Sequence, residues 1–599
     1  MKNKGKKPLK KIHLLNASSN NSIMIGVVEK VSDEEALIYS LHRKDPFPGV
    51  RLDGKHVKTL NNNDVILYQL TEEFNLIEKI GSFNDASMFS KIAIHRNKIP
   101  FEFNEHCILE AKKGKVPPPS KHREDLRNIP FVTIDGEDAK DFDDAVFAEP
   151  LTNNGWRIIV AIADVSHYVE MGSHLDHEAR KRGNSVYFPN TVVPMLPHDL
   201  SDDLCSLRPN EDRAVLCVDM HISESGKIVD FRFSRALIRS CARLTYQQVE
   251  NAINDQWSSK TKHLKTEILN LYGAFKTLKK ASIERGTINL FLPEYKIDFD
   301  QTRWPKSIYA SKDLTSHHII EEMMILANVC AAKILLKKKE PTIFRIHEAP
   351  DATRFLNLSN VIKSLGFKVP SGRLSPPLFN EILKKVKGTN HETLVQELVL
   401  RTQAQAKYAP KNVGHFGLSL DHYCHFTSPI RRYADLVVHR SLIHCLSLDS
   451  SKKAADEEEL LQIADHISAT ERVASKAERE TFERFVIYYL KAHENRLFEG
   501  VISGVTVNGL FIKIIENGAE GFLPVRDLKD DFYYFDEDHH RFIGRRQKKT
   551  YQLGQLVMVK ILNANPILCT LDLEIEVKSD KKAFKKKNRY KNKILSKIS

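Results

Sequence analysis

Four aspartates in the run FVTIDGEDAKDFDDAVFAEP carry the sharpest chemical signal in the chain. Asp135 closes an apolar β-type run, and Asp141, Asp143 and Asp144 open the next. Two strands joined by a short turn bring these four carboxylates to one end of a sheet. Carboxylates gathered in one pocket repel one another and shift toward the protonated form unless cations offset them. Hard, oxygen-preferring ions such as Mg²⁺ or Mn²⁺ suit such a set. A pair of ions held this way activates water on one side of a phosphodiester and stabilises the departing oxygen on the other. The same spacing also admits a solvated acidic loop or a calcium loop. An EF-hand is disfavoured: counted from Asp141, its fifth position is Ala145, its sixth is Val146 where glycine is needed, and its twelfth is Thr152 where glutamate is needed.

A second polar cluster lies in HFTSPIRRYADLVVHR, where a Ser-Pro turn enters a helix with Arg431 and Arg432 at its start. A guanidinium there can grip phosphate bidentately and steady developing charge. A structural ion pair with Asp435 is the alternative for either arginine. The histidines nearby (415, 422, 425, 439 and 444) and Cys424 fit no standard zinc spacing, so packed or polar roles explain them better. In HHIIEEMMILAN, Glu321 and Asn328 share one helical stripe whose intervening positions are apolar, which points both toward a polar channel. Glu322 competes with Glu321 for the same part. Taken alone, Tyr187 in NSVYFPN reads as a core residue, the commoner place for a tyrosine in such a run.

The elements that must hold these groups divide the chain into segments. Residues 1–20 read as a basic disordered arm. Residues 21–85 alternate short β runs with Gly, Asn, Asp and Pro breaks, as a small antiparallel barrel or sandwich does. Residues 86–128 read as a helical connector, 129–490 as a mixed sheet followed by helices, 495–577 as a second β-rich module, and 578–599 as a lysine-rich tail. The fold class expected is multidomain α+β, a central catalytic domain flanked by OB-type β-barrels. A formal net charge of +13 over 599 residues points to a polyanionic partner. No apolar run reaches the ~18 residues of a membrane span, and the basic N-terminus lacks the apolar core of a secretory signal. The eight scattered cysteines form no C-x-x-C pair, which suits free thiols in a reducing cytoplasm.

The run IDGEDAKDFDDAV is similar to the active-site signature of the ribonuclease II/R family, and within it to the ribonuclease R branch. VAIADVSHYV, ARKRGNSVYFPNTVVPMLP, RLTYQQV, HHIIEEMMILAN, GHFGLSLDHYCHFTSPIRRYADLVVHR and SKAERE match further blocks in the same order. The resemblance implies a 3′–5′ exoribonuclease that releases nucleoside 5′-monophosphates, with Asp135, Asp141, Asp143 and Asp144 binding two Mg²⁺ ions (or Mn²⁺). It implies Asp143 and Arg431 as catalytic residues, Tyr187 stacking on the terminal base, and Tyr246 recognising RNA upstream of the cut. It also implies Glu321 contacting ribose and Glu478 near the product end. A phenylalanine often faces the first stacking residue in this family. Here Leu290 stands at that point with Phe291 next to it. Residues 498–575 resemble an S1 RNA-binding domain, with Phe511 and Phe522 as candidates for its base-stacking face. The N-terminal module resembles a diverged cold-shock barrel without the aromatic run used on RNA, and reads as an OB-like gate. The partner implied is the single-stranded 3′ end of RNA, with ribosomes or RNA-decay machinery as further candidates, no membrane, and a monomeric state. The rival reading is a catalytically inactive RNA-binding or regulatory protein on the same scaffold.

Overall fold

The computed structural model describes residues 23–41, 49–53, 55–70, 74–449, 455–494, 496–537 and 539–576. The expected N-terminal arm and lysine-rich tail lie outside these. Strands β1 (Met24–Lys30), β2 (Glu35–Ser40), β3 (Gly49–Asp53), β4 (Asp64–Leu70) and β5 (Phe74–Ser82) form one antiparallel sheet in the order β3-β2-β1-β4-β5. Alternation makes both of its faces apolar. Ile25, Val27, Val65 and Leu67 face one core, while Val28, Ile66 and Tyr68 face another with Ile38 and Leu60. No pairing of β3 with β5 occurs among the described residues, so the module, expected as a small antiparallel barrel or sandwich, is an open five-stranded antiparallel sheet there.

The centre is a seven-stranded mixed sheet. Its strands are β6 (Glu124–Asp125), β7 (Val132–Asp135), β8 (Asp144–Pro150), β9 (Trp156–Ala163), β12 (Asp212–Ile222), β13 (Ile228–Arg239) and β14 (Ala242–Thr245). A separate hairpin, β10 (Val186–Phe188) and β11 (Thr191–Val193), lies between β9 and β12 in sequence. The sheet order is β14-β7-β8-β9-β12-β13-β6, with β14 parallel to β7 and β6 parallel to β13. The sheet therefore begins inside the segment read as connector. Arg123, just before β6, ties that end down by donating from Nη2 to the buried Asp164 Oδ2 at 2.7 Å. Strand β9 is a nearly unbroken apolar run, as befits a central strand covered on both faces. The helix Lys265–Arg285 packs so close that a Cβ at Gly273 would stand 2.5 Å from the Trp156 ring.

The 24-residue helix Thr315–Lys338 is buried on most of its circumference, and the helix Tyr433–Cys445 almost completely. The helix Glu457–Lys491 runs for 35 residues and starts at an N-cap, Asp456, that accepts from Glu459 N at 2.8 Å. It leads into a closed five-stranded barrel of Leu497–Thr506, Gly509–Ile514, Glu520–Pro524, Thr570–Ile575 and Leu556–Asn565. A three-stranded meander, Tyr533–Asp536, Arg541–Gly544 and Thr550–Gln552, is inserted in this barrel, an element that the sequence reading missed. No helix among the described residues is long and apolar enough to cross a membrane.

Candidate active site

Parallel pairing sets Thr245, the last residue of β14, beside Asp135, the last of β7. Thr245 also opens the helix Tyr246–Ile253 through a capping box: its Oγ1 accepts from Gln248 N at 3.2 Å, and Gln248 Oε1 accepts from Thr245 N at 2.9 Å. Tyr246 is thereby held at the carboxylate end of the sheet. Asp144 begins β8 opposite Ile162, and the Asp143 carbonyl accepts from Ala163 N at 2.9 Å. The turn between β7 and β8 is pinned from both sides. Arg243 Nη2 donates to the carbonyls of Gly136 and Glu137, and Ser206 Oγ donates to the Lys140 carbonyl at 2.6 Å.

The result is a cavity of about 570 Å³ lined by Asp135, Asp141, Asp143, Asp144, Tyr187, Tyr246, Glu321, Asn328, Arg431 and Arg432, together with Thr427, Ser428 and Tyr423. The hairpin β10–β11 supplies Tyr187. Val186 and Phe188 point into a small core against Ala474 and Ala477, so alternation turns Tyr187 the other way. Its hydroxyl donates to Asp141 Oδ2 at 2.6 Å, and its backbone N–H donates to Glu478 Oε1 at 2.7 Å. Tyr187 and Arg431 also line a smaller cavity of about 200 Å³ that includes Glu471 and Glu478.

Electrostatics set these aspartates apart from ordinary surface acids. Burial, reinforced by Asp144 and Asp141, pushes Asp135 up to about 8. Burial pushes Asp144 up to about 6 against the pull of Arg431 and Arg432. Asp143 is raised well above the usual carboxylate range by burial, although Arg431 lies 3.8 Å from its Oδ2 and Ile430 N donates to its Oδ1 at 2.9 Å. One oxygen on each of Asp135, Asp143 and Asp144 is buried without a hydrogen-bond partner. Three orphaned, mutually repelling carboxylate oxygens are the donor set of a hard divalent cation, so these residues fit one. Among the described residues, no three His, Cys, Asp or Glu side chains are gathered into a finished ligand set. The convergence expected from sequence is met as a shared cavity and not as a closed coordination shell. Asp141 is committed to the Tyr187 hydroxyl, and Asp143 Oδ1 to Ile430 N.

The two arginines separate cleanly. Arg432 donates twice to the fully buried Asp435, from Nε to Oδ2 and from Nη2 to Oδ1, each at 2.7 Å. Arg431 keeps its guanidinium partly exposed to the cavity, held by Nη2 to Ser428 Oγ at 3.0 Å and by the looser ion pair with Asp143. Glu321 and Glu322 also part. Glu321 faces the aspartate cavity, whereas Glu322 is buried beside Lys279 at 3.5 Å and lines a different cavity. Glu321 is held by His318, whose Nδ1 lies 2.9 Å from Glu321 Oε2 and whose Nε2 lies 2.9 Å from Asp313 Oδ1. Those hydrogen bonds, from Glu321 first, raise His318 to about 9. His317 packs its ring 4.2 Å from that of Tyr246. The paired histidines were read only as part of a helical pattern.

Several candidates take other parts. Asn328 is buried on the cavity wall, where one amide N–H donates from Nδ2 to Tyr423 Oη at 3.1 Å and Oδ1 accepts from Phe426 N at 2.8 Å. It thereby fixes the 423–426 loop and keeps its second amide N–H unassigned. Leu290 packs in the core of the helices around Phe379, and Phe291 is 60% exposed; neither lines the aspartate cavity. The histidines near Arg431 serve packing, His439 Nε2 lying 2.7 Å from the Phe426 carbonyl and His425 Nδ1 2.8 Å from Tyr408 Oη. In the C-terminal barrel, Phe511 and Phe522 are direct cross-strand partners with ring centroids 5.0 Å apart, both outside the barrel core.

A seven-stranded mixed sheet that ends in buried carboxylates, with the partly exposed Arg431 over them and a C-terminal OB barrel, defines a nuclease-like architecture. The RNB domain family matches residues 123–448 and the S1 RNA binding domain family matches residues 491–566. The chain belongs to the ribonuclease II/R (RNB) family. It is 38% identical to the Ribonuclease R of Escherichia coli over 509 residues, 82% of this chain and 62% of that protein, so it spans less than two thirds of that relative's length. It is 35% identical to the Ribonuclease R of Aquifex aeolicus over 595 residues, 96% of this chain and 83% of that one. Its fold matches the Mycoplasma genitalium RNase R in complex with ribose methylated single-stranded RNA with a TM-score of 0.84 at 26% identity, covering 92% of this chain and 89% of that one.

Proposed function

We propose that the chain is a 3′–5′ exoribonuclease that hydrolyses RNA to nucleoside 5′-monophosphates. The observation that carries the reading is the single cavity in which three aspartates each keep a buried oxygen without a hydrogen-bond partner, beside the partly exposed guanidinium of Arg431. Asp135, Asp141, Asp143 and Asp144 would hold Mg²⁺ or Mn²⁺, which supplies an activated water and charge stabilisation at the leaving oxygen. The chain's own groups do the rest. Tyr187 offers a ring to the terminal base, sequence-tolerant as a degradative enzyme requires. Arg431 grips the scissile phosphate and steadies the charge that builds in the transition state. Glu321 cannot face a phosphate, and instead accepts from a ribose hydroxyl. Tyr246 bounds the strand upstream of the cut, and Glu478 holds the backbone that aims Tyr187. We extend the reading to a cytoplasmic monomer that feeds on single-stranded 3′ ends, including those on ribosomes or in RNA-decay assemblies. Its working units are an N-terminal OB-like gate, the catalytic domain and the S1 module.

End-labelled RNA incubated with and without EDTA tests this. Laddering to mononucleotides that EDTA stops is the expected result. A mobility shift without cleavage at millimolar Mg²⁺ would replace this reading with the inactive RNA-binding one.

The raised aspartates give a further expected outcome. The unfolded-state pKa of Asp is about 3.9, so across the window from there to about 8 for Asp135 and about 6 for Asp144 the folded chain binds more protons than the unfolded one. Stability of the metal-free protein therefore falls as pH rises through that window. Mg²⁺, which binds the ionised form, should raise the melting temperature more at pH 8 than at pH 5. Calorimetry with and without EDTA checks this, and an equal Mg²⁺ shift at both pH values would contradict it.

A further inference from the structure

His318 does not line the aspartate cavity, but it holds a residue that does. Both of its ring nitrogens face carboxylate oxygens, Nδ1 at 2.9 Å from Glu321 Oε2 and Nε2 at 2.9 Å from Asp313 Oδ1. A neutral imidazole has one N–H to give, so two such contacts make the ring an imidazolium. A cation in the first turn of a helix opposes the helix dipole, and the helix Thr315–Lys338 has no acid in its own first turn to offset it. The bridge is not needed to start that helix. Ser316 N already donates to Glu250 Oε2 at 2.9 Å, which ties it to the neighbouring helix Tyr246–Ile253. A partly exposed ion pair of this kind also adds little to stability. Its consequence falls on Glu321, which shares the cavity with Asp135, Asp141, Asp143 and Asp144. Like charges gathered there repel, so an unheld Glu321 turns out to solvent. The imidazolium offsets that repulsion and fixes Oε2, while Oε1 makes no hydrogen bond among the described residues. One neutralised acceptor with a set direction suits a sugar hydroxyl, and the 2′-hydroxyl is the group by which a protein tells RNA from DNA.

We propose that His318 is a positioning residue for sugar selection: held by Asp313, it aims the remaining Glu321 oxygen at a 2′-hydroxyl of the bound strand. The proposal rests on the exoribonuclease reading and on Glu321 as its ribose contact. The test compares the full chain with its His318→Gln, His318→Lys and Glu321→Gln variants, and with the double variant carrying His318→Gln and Glu321→Gln. Substrates are a labelled oligoribonucleotide and versions of it in which one 2′-deoxy residue is moved stepwise from the 3′ end. In wild type one position should cost about tenfold in kcat/KM, the worth of a hydrogen bond to a charged group. His318→Gln should lose that penalty, and on the all-ribose strand its KM should rise about tenfold with kcat little changed. His318→Lys keeps a cation beside Glu321 and should restore most of the discrimination, a rescue that a merely structural role does not give. Once Glu321 is replaced, His318→Gln should have no further effect. A wild-type penalty in His318→Gln would overturn the proposal, as would additive losses in the double variant. A wild type indifferent to every 2′-deoxy position would overturn it together with the Glu321 contact. Should His318→Gln melt early, Asp313→Asn, which lies before the helix, is read in its place: a reduced penalty supports the proposal and an unchanged one overturns it. The EDTA ladder separates the two readings: no cleavage by wild type removes the nuclease reading, whereas intact cleavage with an unchanged penalty removes only the role of His318.

Discussion

Replacing Asp143 by asparagine is expected to slow RNA hydrolysis by at least about a thousandfold while RNA affinity stays equal or tightens. The substitution is nearly isosteric, and Asn keeps the Oδ1 that accepts from Ile430 N, so the loop bearing Arg431 stays in place. What disappears is the buried Oδ2 without a hydrogen-bond partner and its negative charge. Because burial holds Asp143 well above the usual carboxylate range, its ionised form costs stability in the metal-free fold. Asp143→Asn should therefore melt higher than wild type in EDTA and gain less from Mg²⁺. Single-turnover cleavage and melting curves read the two effects separately. Full activity in excess Mg²⁺ would rule out a catalytic Asp143.

The adjacent arginines should fail in opposite ways. Arg431→Ala is expected to lower kcat by about a hundredfold to a thousandfold with an unchanged melting temperature, since the side chain touches only Ser428 and the edge of Asp143. Arg431→Lys keeps the charge but not the planar fork, and should recover only part of the rate. Arg432→Ala instead strips the partner from Asp435, a fully buried carboxylate that also accepts from Ser428 N at 2.7 Å. Leaving that charge uncompensated costs about 3 kcal/mol or more, seen as early unfolding. Kinetics beside denaturant titration on the pair would decide; a normal stability for Arg432→Ala would refute the division of labour.

The sequence exposed this site unevenly, and physical reasons explain where. The four aspartates were legible because a strand–turn–strand pattern with acids at the junction leaves few other places for them. Residue type and spacing alone do not separate Arg431 from Arg432, which only the family resemblance tells apart, because the turn that divides them is set by the distant contact of Ser185 N with the Arg431 carbonyl at 3.0 Å. Asn328 was placed correctly on the cavity stripe, yet its amide holds a loop almost a hundred residues later in the chain, a partner that no periodicity reveals. Leu290, which stands where the family often has a phenylalanine, packs against the core around Phe379, and the sequence alone does not show that packing. The meander escaped because its strands are only three or four residues long, too short for an alternation to mark them.

The long helix Glu457–Lys491 has one more implication. Its Val486, Ile487 and Leu490 pack into one apolar cluster with the C-terminal barrel, its Phe485 lies 4.9 Å from Phe89 beneath the N-terminal sheet, and its Arg484 donates to the carbonyls of Pro566 and Ile567. One rod thus furnishes part of the filling of both outlying modules and, one face further on, the carboxylate that steers Tyr187. The modules share a keel. They should melt as a unit rather than one by one, and a barrel excised without this rod would be left with a hollow where its side chains belong.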